Sequence, residues 1–159
     1  MRRNYLFILT IAAFCLLLSG CKSAYEKYSN NEFTIEYPKS WEKEINMFPV
    51  MPFVAFSEYQ TAMVSTKDSS DVSIEDFAKL RIKAFEEEQI GFKLISLDVD
   101  SKYALIRYSN EDEDDPNYHL ETLMKIGRRG NKLYGVTCAY ENSDQKDTVE
   151  HIINSFQLK

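Results

Sequence analysis

Apolar and polar residues alternate over Phe33, Ile35 and Tyr37 against Thr34 and Glu36, the period of a half-buried strand. Pro38, which has no amide to donate, ends that run. Trp41 and Ile45 predict a second short strand, and Val54 to Tyr59 with Ala62 to Thr66 predict a strand pair closed by the polar turn Lys67 to Asp71. The period then changes. Ser73 with Asp76 three residues on resembles a capping box, and Ile74, Phe77, Ala78, Arg81, Ala84 and Phe85 recur at helical spacing to about Glu88. Phe92 to Val99 and Tyr103 to Tyr108 read as two more strands. Tyr118, Leu120, Thr122, Met124 and Ile126 alternate next, Arg128, Arg129, Gly130 and Asn131 make a turn, and Leu133 to Tyr140 returns as the partner strand. Asn142 or Ser143 can cap a closing helix with Val149, Ile152, Ile153 and Phe156 on one side. Antiparallel strands interrupted by one amphipathic helix and closed by another predict an α+β domain, a central antiparallel sheet with helices packed on it.

The front of the chain has a different character. Arg2 and Arg3 precede an apolar run from Tyr5 to Leu18 broken only by Thr10, and small residues Ser19 and Gly20 lead to Cys21. This order is that of a secretory signal, and the run is short of the roughly 20 residues a membrane-spanning helix needs. Leu18, Ser19, Gly20 and Cys21 resemble the lipobox of bacterial lipoproteins, in which the cysteine sulfur takes a diacylglycerol and cleavage follows just before it. Small residues let the backbone lie extended in a protease cleft. Two or three acyl chains on one residue, at about 0.8 kcal/mol per buried methylene, make a lasting anchor. The expected organisation is a cleaved signal peptide over residues 1–20, a lipidated cysteine and polar tether over 21–31, and a globular domain over 32–159. The expected location is the cell membrane or outer membrane, on its extracytoplasmic side.

Composition narrows the classes. Hydrophobic residues make up 44% and charged residues 28%, with ten Phe and ten Tyr, so the domain has material for a core. The formal net charge is −6, and loss of Arg2 and Arg3 makes the mature chain more acidic still. An acidic domain whose one dense basic pair is Arg128 and Arg129 is a poor fit to nucleic acid, whose phosphates require clustered cations. With Cys15 in the signal and Cys21 assigned to lipid, Cys138 stands alone in the mature domain, and the fold must be held by its core without an internal disulfide.

The residues Phe33 to Trp41, an aromatic-alternating strand closed by Tyr37 and Pro38 with Trp41 three residues beyond, resemble the opening signature of the PsbP-like superfamily. Ile152 to Leu158 is similar to that superfamily's last helix running into a Ser-Phe pair, and Ser73 to Ala78 to the start of its middle helix. The resemblance spans nearly the whole mature domain in element order. It implies an α/β/α sandwich, with Tyr37, Pro38 and Trp41 as core and turn residues. The superfamily includes the photosystem II extrinsic subunit, a nuclear-import factor that binds a small GTPase, and bacterial lipoproteins such as the DcrB-like ones. The implied mode of action is noncatalytic binding to larger protein assemblies.

Patterns of catalysis are scarce. His119 and His151 occur without paired ligands or a nucleophile motif, so neither zinc nor histidine-based catalysis is expected. Glycines at 91, 127, 130 and 135 form no phosphate-cradling loop, and no cofactor is expected. Asp112, Asp114 and Asp115 lie in an acidic stretch from Glu111, whose oxygens calcium would accept, yet it lacks the alternate-position spacing and glycine of a tuned loop, and a solvated turn is the better reading. The segment Met47, Phe48, Pro49, Val50, Met51, Pro52 and Phe53 reads as an apolar loop held by two prolines. Either it is a partner-contact surface, since methionines adapt to varied partners, or it folds over the sheet as core. The expectation is a noncatalytic binding or assembly module of the cell envelope, held to the membrane through Cys21, with an envelope protein as partner. The alternatives are an envelope enzyme with unrecognised site geometry and a carrier of a small ligand or calcium.

Overall fold

A computed structural model of the chain describes residues 23–58, 60–69, 71–111, 115 and 119–159. The signal, Leu18, Ser19, Gly20 and Cys21, and the acidic residues Asp112 and Asp114 lie outside the described residues.

Alternation places side chains on both faces of a seven-stranded antiparallel sheet. Its strands, in spatial order, are β3 (Glu42–Phe48), β4 (Met51–Phe56), β5 (Thr61–Asp68), β9 (Lys132–Tyr140), β8 (His119–Arg129), β7 (Tyr103–Glu111) and β6 (Phe92–Val99). A smaller sheet orders β1 (Tyr25–Ser29), β2 (Phe33–Pro38) and β10 (Gln157–Leu158). Helix α1 (Ile74–Glu88) packs on β6, β7 and β8, whereas α2 (Lys146–Ser155) packs on β2, β8 and β9.

The period of two decides which face each residue serves. On β9, Tyr134, Val136 and Cys138 face the small sheet and α2 together with Leu123 of β8, Ala62 and Val64 of β5, and Phe53 and Ala55 of β4. On β8, Met124 and Ile126 face the other way and join Ala104, Ile106 and Tyr108 of β7 beneath Ala78, Ile82 and Phe85 of α1. Val149, Ile152, Ile153 and Phe156 close the first cluster against Phe33, Ile35 and Tyr37. Full burial of each such side chain removes it from water at a gain of about 2 kcal/mol. The core closes within residues 33–156, so the unit from Ser23 to Lys159 carries its own hydrophobic centre.

The helices start where the sequence places them. The Ser73 hydroxyl accepts the Asp76 amide at 3.0 Å, so one of the orphan donors of the first turn of α1 is satisfied. Before α2, the Asn142 and Gln145 side chains form a capping box around a short 3₁₀ turn, Ser143–Gln145. Lys125 ends α2 by donating to the carbonyls of Ile153 and Phe156. Gly130 supplies φ +58 in the β8–β9 turn, where nothing lies near a would-be Cβ and only the backbone conformation demands glycine.

Three expectations change. Tyr25–Ser29, read as tether, is a strand paired with β2 from Tyr25 opposite Pro38 to Ser29 opposite Thr34. Its half-buried residues are Tyr25 and Tyr28, three apart, so alternation is weak and the segment reads as aperiodic. Phe33 to Pro38, read as a strand of the central sheet, belongs instead to the separate small sheet. The segment Met47 to Phe53, read as a loop, is the tip of the β3–β4 hairpin, with Phe48 opposite Met51 and Ile45 opposite Phe53. Both prolines are tolerated there because Pro49 sits in the turn and Pro52 beside the register shift between Ile45 and Phe48, where no ladder amide is required of it.

Candidate functional site

The β3–β4 hairpin lies at one edge of the large sheet, so the outer side of β3 has no neighbouring strand among the described residues. Its first half is charged, Glu42, Lys43 and Glu44, and its second half is apolar. At the tip Ile45 is 41%, Met47 43%, Phe48 54% and Val50 54% exposed. Met51 is half-buried and Phe53 fully buried, stacked on Tyr28 at 4.8 Å and tilted against Tyr37 at 5.5 Å. The segment therefore divides: Phe53 is core, and Met47, Phe48 and Val50 form a surface. Asn46 adopts φ 55 at the register shift, which turns the apolar half relative to the charged half.

The hairpin's position relative to the start of the domain follows from three contacts. The Lys39 amide donates to the Ala24 carbonyl at 3.0 Å. Lys43 Nζ reaches Glu26 at 2.7 Å and the Tyr37 hydroxyl at 2.6 Å, and Tyr28 lies on Phe53. These contacts set Ala24 beside Lys39 and Glu26 beside Lys43, at the start of β3, and Tyr28 against Phe53 of β4. From Lys43 the tip at Phe48 is five residues further on, about 16 Å of strand at about 3.3 Å per residue.

Other residues singled out by sequence are placed differently. Cys138 is buried, and burial pushes its thiol up to about 12, which leaves it an inert apolar side chain. His151 Nε2 is 2.9 Å from Glu36 and its ring stacks on Tyr25 at 3.8 Å, so it joins α2 to both β1 and β2. His119 lies on the exposed start of β8, 3.8 Å from Glu111. Glu111 also pairs with Lys93, which holds its carboxyl below the usual range. Among the described residues no three His, Cys, Asp or Glu side chains gather as a metal set; Asp115 is the one acidic candidate within them, and it has a partner of its own. Arg128 donates to the Ser69 and Val72 carbonyls and Arg129 to that of Lys159, so this basic pair ties down the β5–α1 connection and the carboxy-terminal residue.

One feature escaped the sequence reading. Helix α1 covers the β6–β7–β8 half of its face and leaves a groove of about 450 Å³ against β5 and β9. Its floor includes Ser65, Thr137 and Met124, and its helical wall carries Phe77, Arg81 and Phe85. The available signal was Arg81, a guanidinium at an apolar-stripe position of α1.

No family model matches the chain, and no curated protein matches it. Among solved structures it is similar to the cyanobacterial PsbP protein CyanoP from Synechocystis sp. PCC 6803, at TM-score 0.64 and 19% identity over 90% of this chain and 99% of that one. A looser likeness, at TM-score 0.49 and 17% identity over 79% of this chain and 88% of the other, is to PA94, a protein of unknown function from Pseudomonas aeruginosa. The chain thus has the PsbP-like α+β fold, with mostly antiparallel strands and two helices. No helix of the described residues is long and apolar enough to cross a membrane.

Proposed function

We propose that this chain is a lipid-anchored extracytoplasmic lipoprotein whose domain is a noncatalytic binding module of the cell envelope, docking on an envelope protein through the apolar tip of the β3–β4 hairpin. The observation that carries this reading is the exposure of Met47, Phe48 and Val50 together on an unpaired sheet edge. Sheet edges in water are ordinarily guarded by charge, as Glu42, Lys43 and Glu44 guard the first half of β3. An apolar second half is a place for another chain to add its own apolar segment.

Geometry favours a protein over the anchoring lipid as the occupant. Cys21 is three residues from Ala24, at most about 11 Å of extended chain, and the hairpin tip lies at the other end of β3. A domain held at Ala24 presents Met47 and Phe48 away from the lipid surface, where envelope proteins are met.

The test is a photo-crosslinking amino acid placed at position 48 of the full chain in its native cells, with position 83, on the exposed side of α1, as reference. A discrete protein adduct is expected from 48 and not from 83, and Met47→Ser with Val50→Ser should reduce it about tenfold, the loss of a small apolar hot spot, with the melting temperature unchanged. Adducts to lipid alone, or equal adducts from both positions, would contradict the docking role.

A further inference from the structure

The groove between α1 and the β5–β9 half of the sheet has a definite chemistry. Arg81 Cζ lies 4.5 Å from the centroid of the Phe85 ring, and Lys67 Nζ lies 5.5 Å from that of Phe77, so each cation leans on an aromatic wall. Neither pairs with a carboxylate among the described residues, whereas the other two cations of α1 do: Lys79 pairs with Glu75 and Lys83 with Glu87. Among the described residues none that lines the groove is acidic. The Nε of Arg81 is buried without a hydrogen-bond partner, which is costly for a charged group unless something completes it.

The remainder of the lining is of two kinds. Phe77, Phe85, Met63, Met124 and Leu133 make it apolar, and the Ser65 and Thr137 hydroxyls line it on the sheet side. Gly135 belongs to the same floor, where an added Cβ would come within 3.0 Å of the Met124 methyl, so the sheet surface there is already filled to contact. A volume of about 450 Å³ falls in the usual range of small-molecule sites, about 300–1,000 Å³. In a chain whose net charge is negative, a concavity with two unpaired cations and no acid selects against its own surroundings and for anions.

We propose that this groove binds a small amphipathic carboxylate, its headgroup on the Arg81 guanidinium with Lys67 alongside and its apolar body along Phe77, Phe85 and Met124. The guanidinium's terminal amino groups match a carboxylate's two oxygens, and a charge-assisted pair formed against an aromatic wall gives the charged end its selectivity. This site lies on the face of the sheet opposite the small sheet and α2, and it stands independently of the hairpin's docking role.

Octanoate and 1-octanol separate the two parts of the proposal, since they share a chain length and differ in charge. Calorimetric titration of residues 23–159 is expected to show saturable one-to-one binding of octanoate, with 1-octanol at least about tenfold weaker, the usual worth of one charge-assisted hydrogen bond. Arg81→Gln should weaken octanoate about tenfold and leave 1-octanol unchanged, with Lys67→Gln acting the same way to a smaller degree. Arg81→Lys, which keeps the charge and loses the fork, should fall between. Equal binding of acid and alcohol, indifference to Arg81→Gln in a variant that keeps its melting temperature, or no binding of either would overturn the assignment. If Arg81→Gln fails to fold, Lys67→Gln at the rim carries the same comparison, and its indifference would count equally against the site.

Discussion

The tyrosines and Cys138 show how far burial controls the chemistry of single residues. Tyr134 is fully buried in the larger core cluster beside Phe33. Burial, helped by the neighbouring Glu32 carboxylate, pushes its phenol up to about 12 from an ordinary value near 10. Tyr140 shifts in the same direction, for burial and for Glu121. A raised folded value contributes stability that is complete below the unfolded value, so the share contributed by Tyr134 should be full to about pH 10 and be lost as pH rises toward 12. Denaturant melts between these limits should show that decline, and Tyr134→Phe should make it shallower. Equal slopes in wild type and variant would show that Tyr134 has no part in it. The same desolvation makes Cys138 part of the apolar core and withdraws it from thiol chemistry, as its isolation in the sequence implied.

At the scale of elements, the cap of α1 is the feature most separable from the rest. Ser73→Ala removes the hydroxyl that accepts the Asp76 amide and also donates to its carboxylate, while touching no core residue. The expected cost is about 1 kcal/mol, or roughly 3 °C in melting temperature for a domain of this size, and Ser73→Asp should recover most of it. A drop below about 1.5 °C in the alanine variant, the scale of ordinary surface substitutions at about 0.5 kcal/mol, would mean that the cap is redundant. This helix was legible in the sequence because cap and stripe agree, Ser73 and Asp76 leading into Ile74, Phe77, Ala78 and Phe85. So were β6 to β9, runs of eight to eleven residues rich in apolar and β-branched side chains and bounded by turn residues. Strand β1 was not, because only Tyr25 and Tyr28 of its five residues are half-buried, and Tyr25 is covered by His151, more than 100 residues away. The β3–β4 hairpin was hidden by Pro49 and Pro52, which signal a loop until the local register shift makes room for one of them. The groove was legible only as a single misplaced cation, Arg81; its other wall comes from β5 and β9, and no local pattern joins them to α1.

As a whole molecule, the domain is a sheet with two differently used faces, an apolar hairpin tip at one edge and exposed Leu94, Ile95 and Val99 on the strand at the other. One face is sealed by α2 and the small sheet, and the other is half covered by α1, which leaves the groove. The hairpin edge starts beside Ala24, where chain leading back to Cys21 enters, and its apolar tip lies at the other end of β3. With only Lys22 and Ser23 between Cys21 and Ala24, a lipid on Cys21 would hold the small sheet close to the headgroups and turn the hairpin tip outward. The shared PsbP-like fold fixes none of this, since fold is common to proteins of different roles. The docking role rests on an anchored amino terminus, and that anchor is open to direct measurement. Native cells should be fed a clickable palmitate analogue and the chain compared with its Cys21→Ser variant. The expected result is a labelled, processed protein in the wild type and an unlabelled, full-length precursor in the variant; label persisting on Cys21→Ser, or an unlabelled wild type still beginning at Met1, would contradict it.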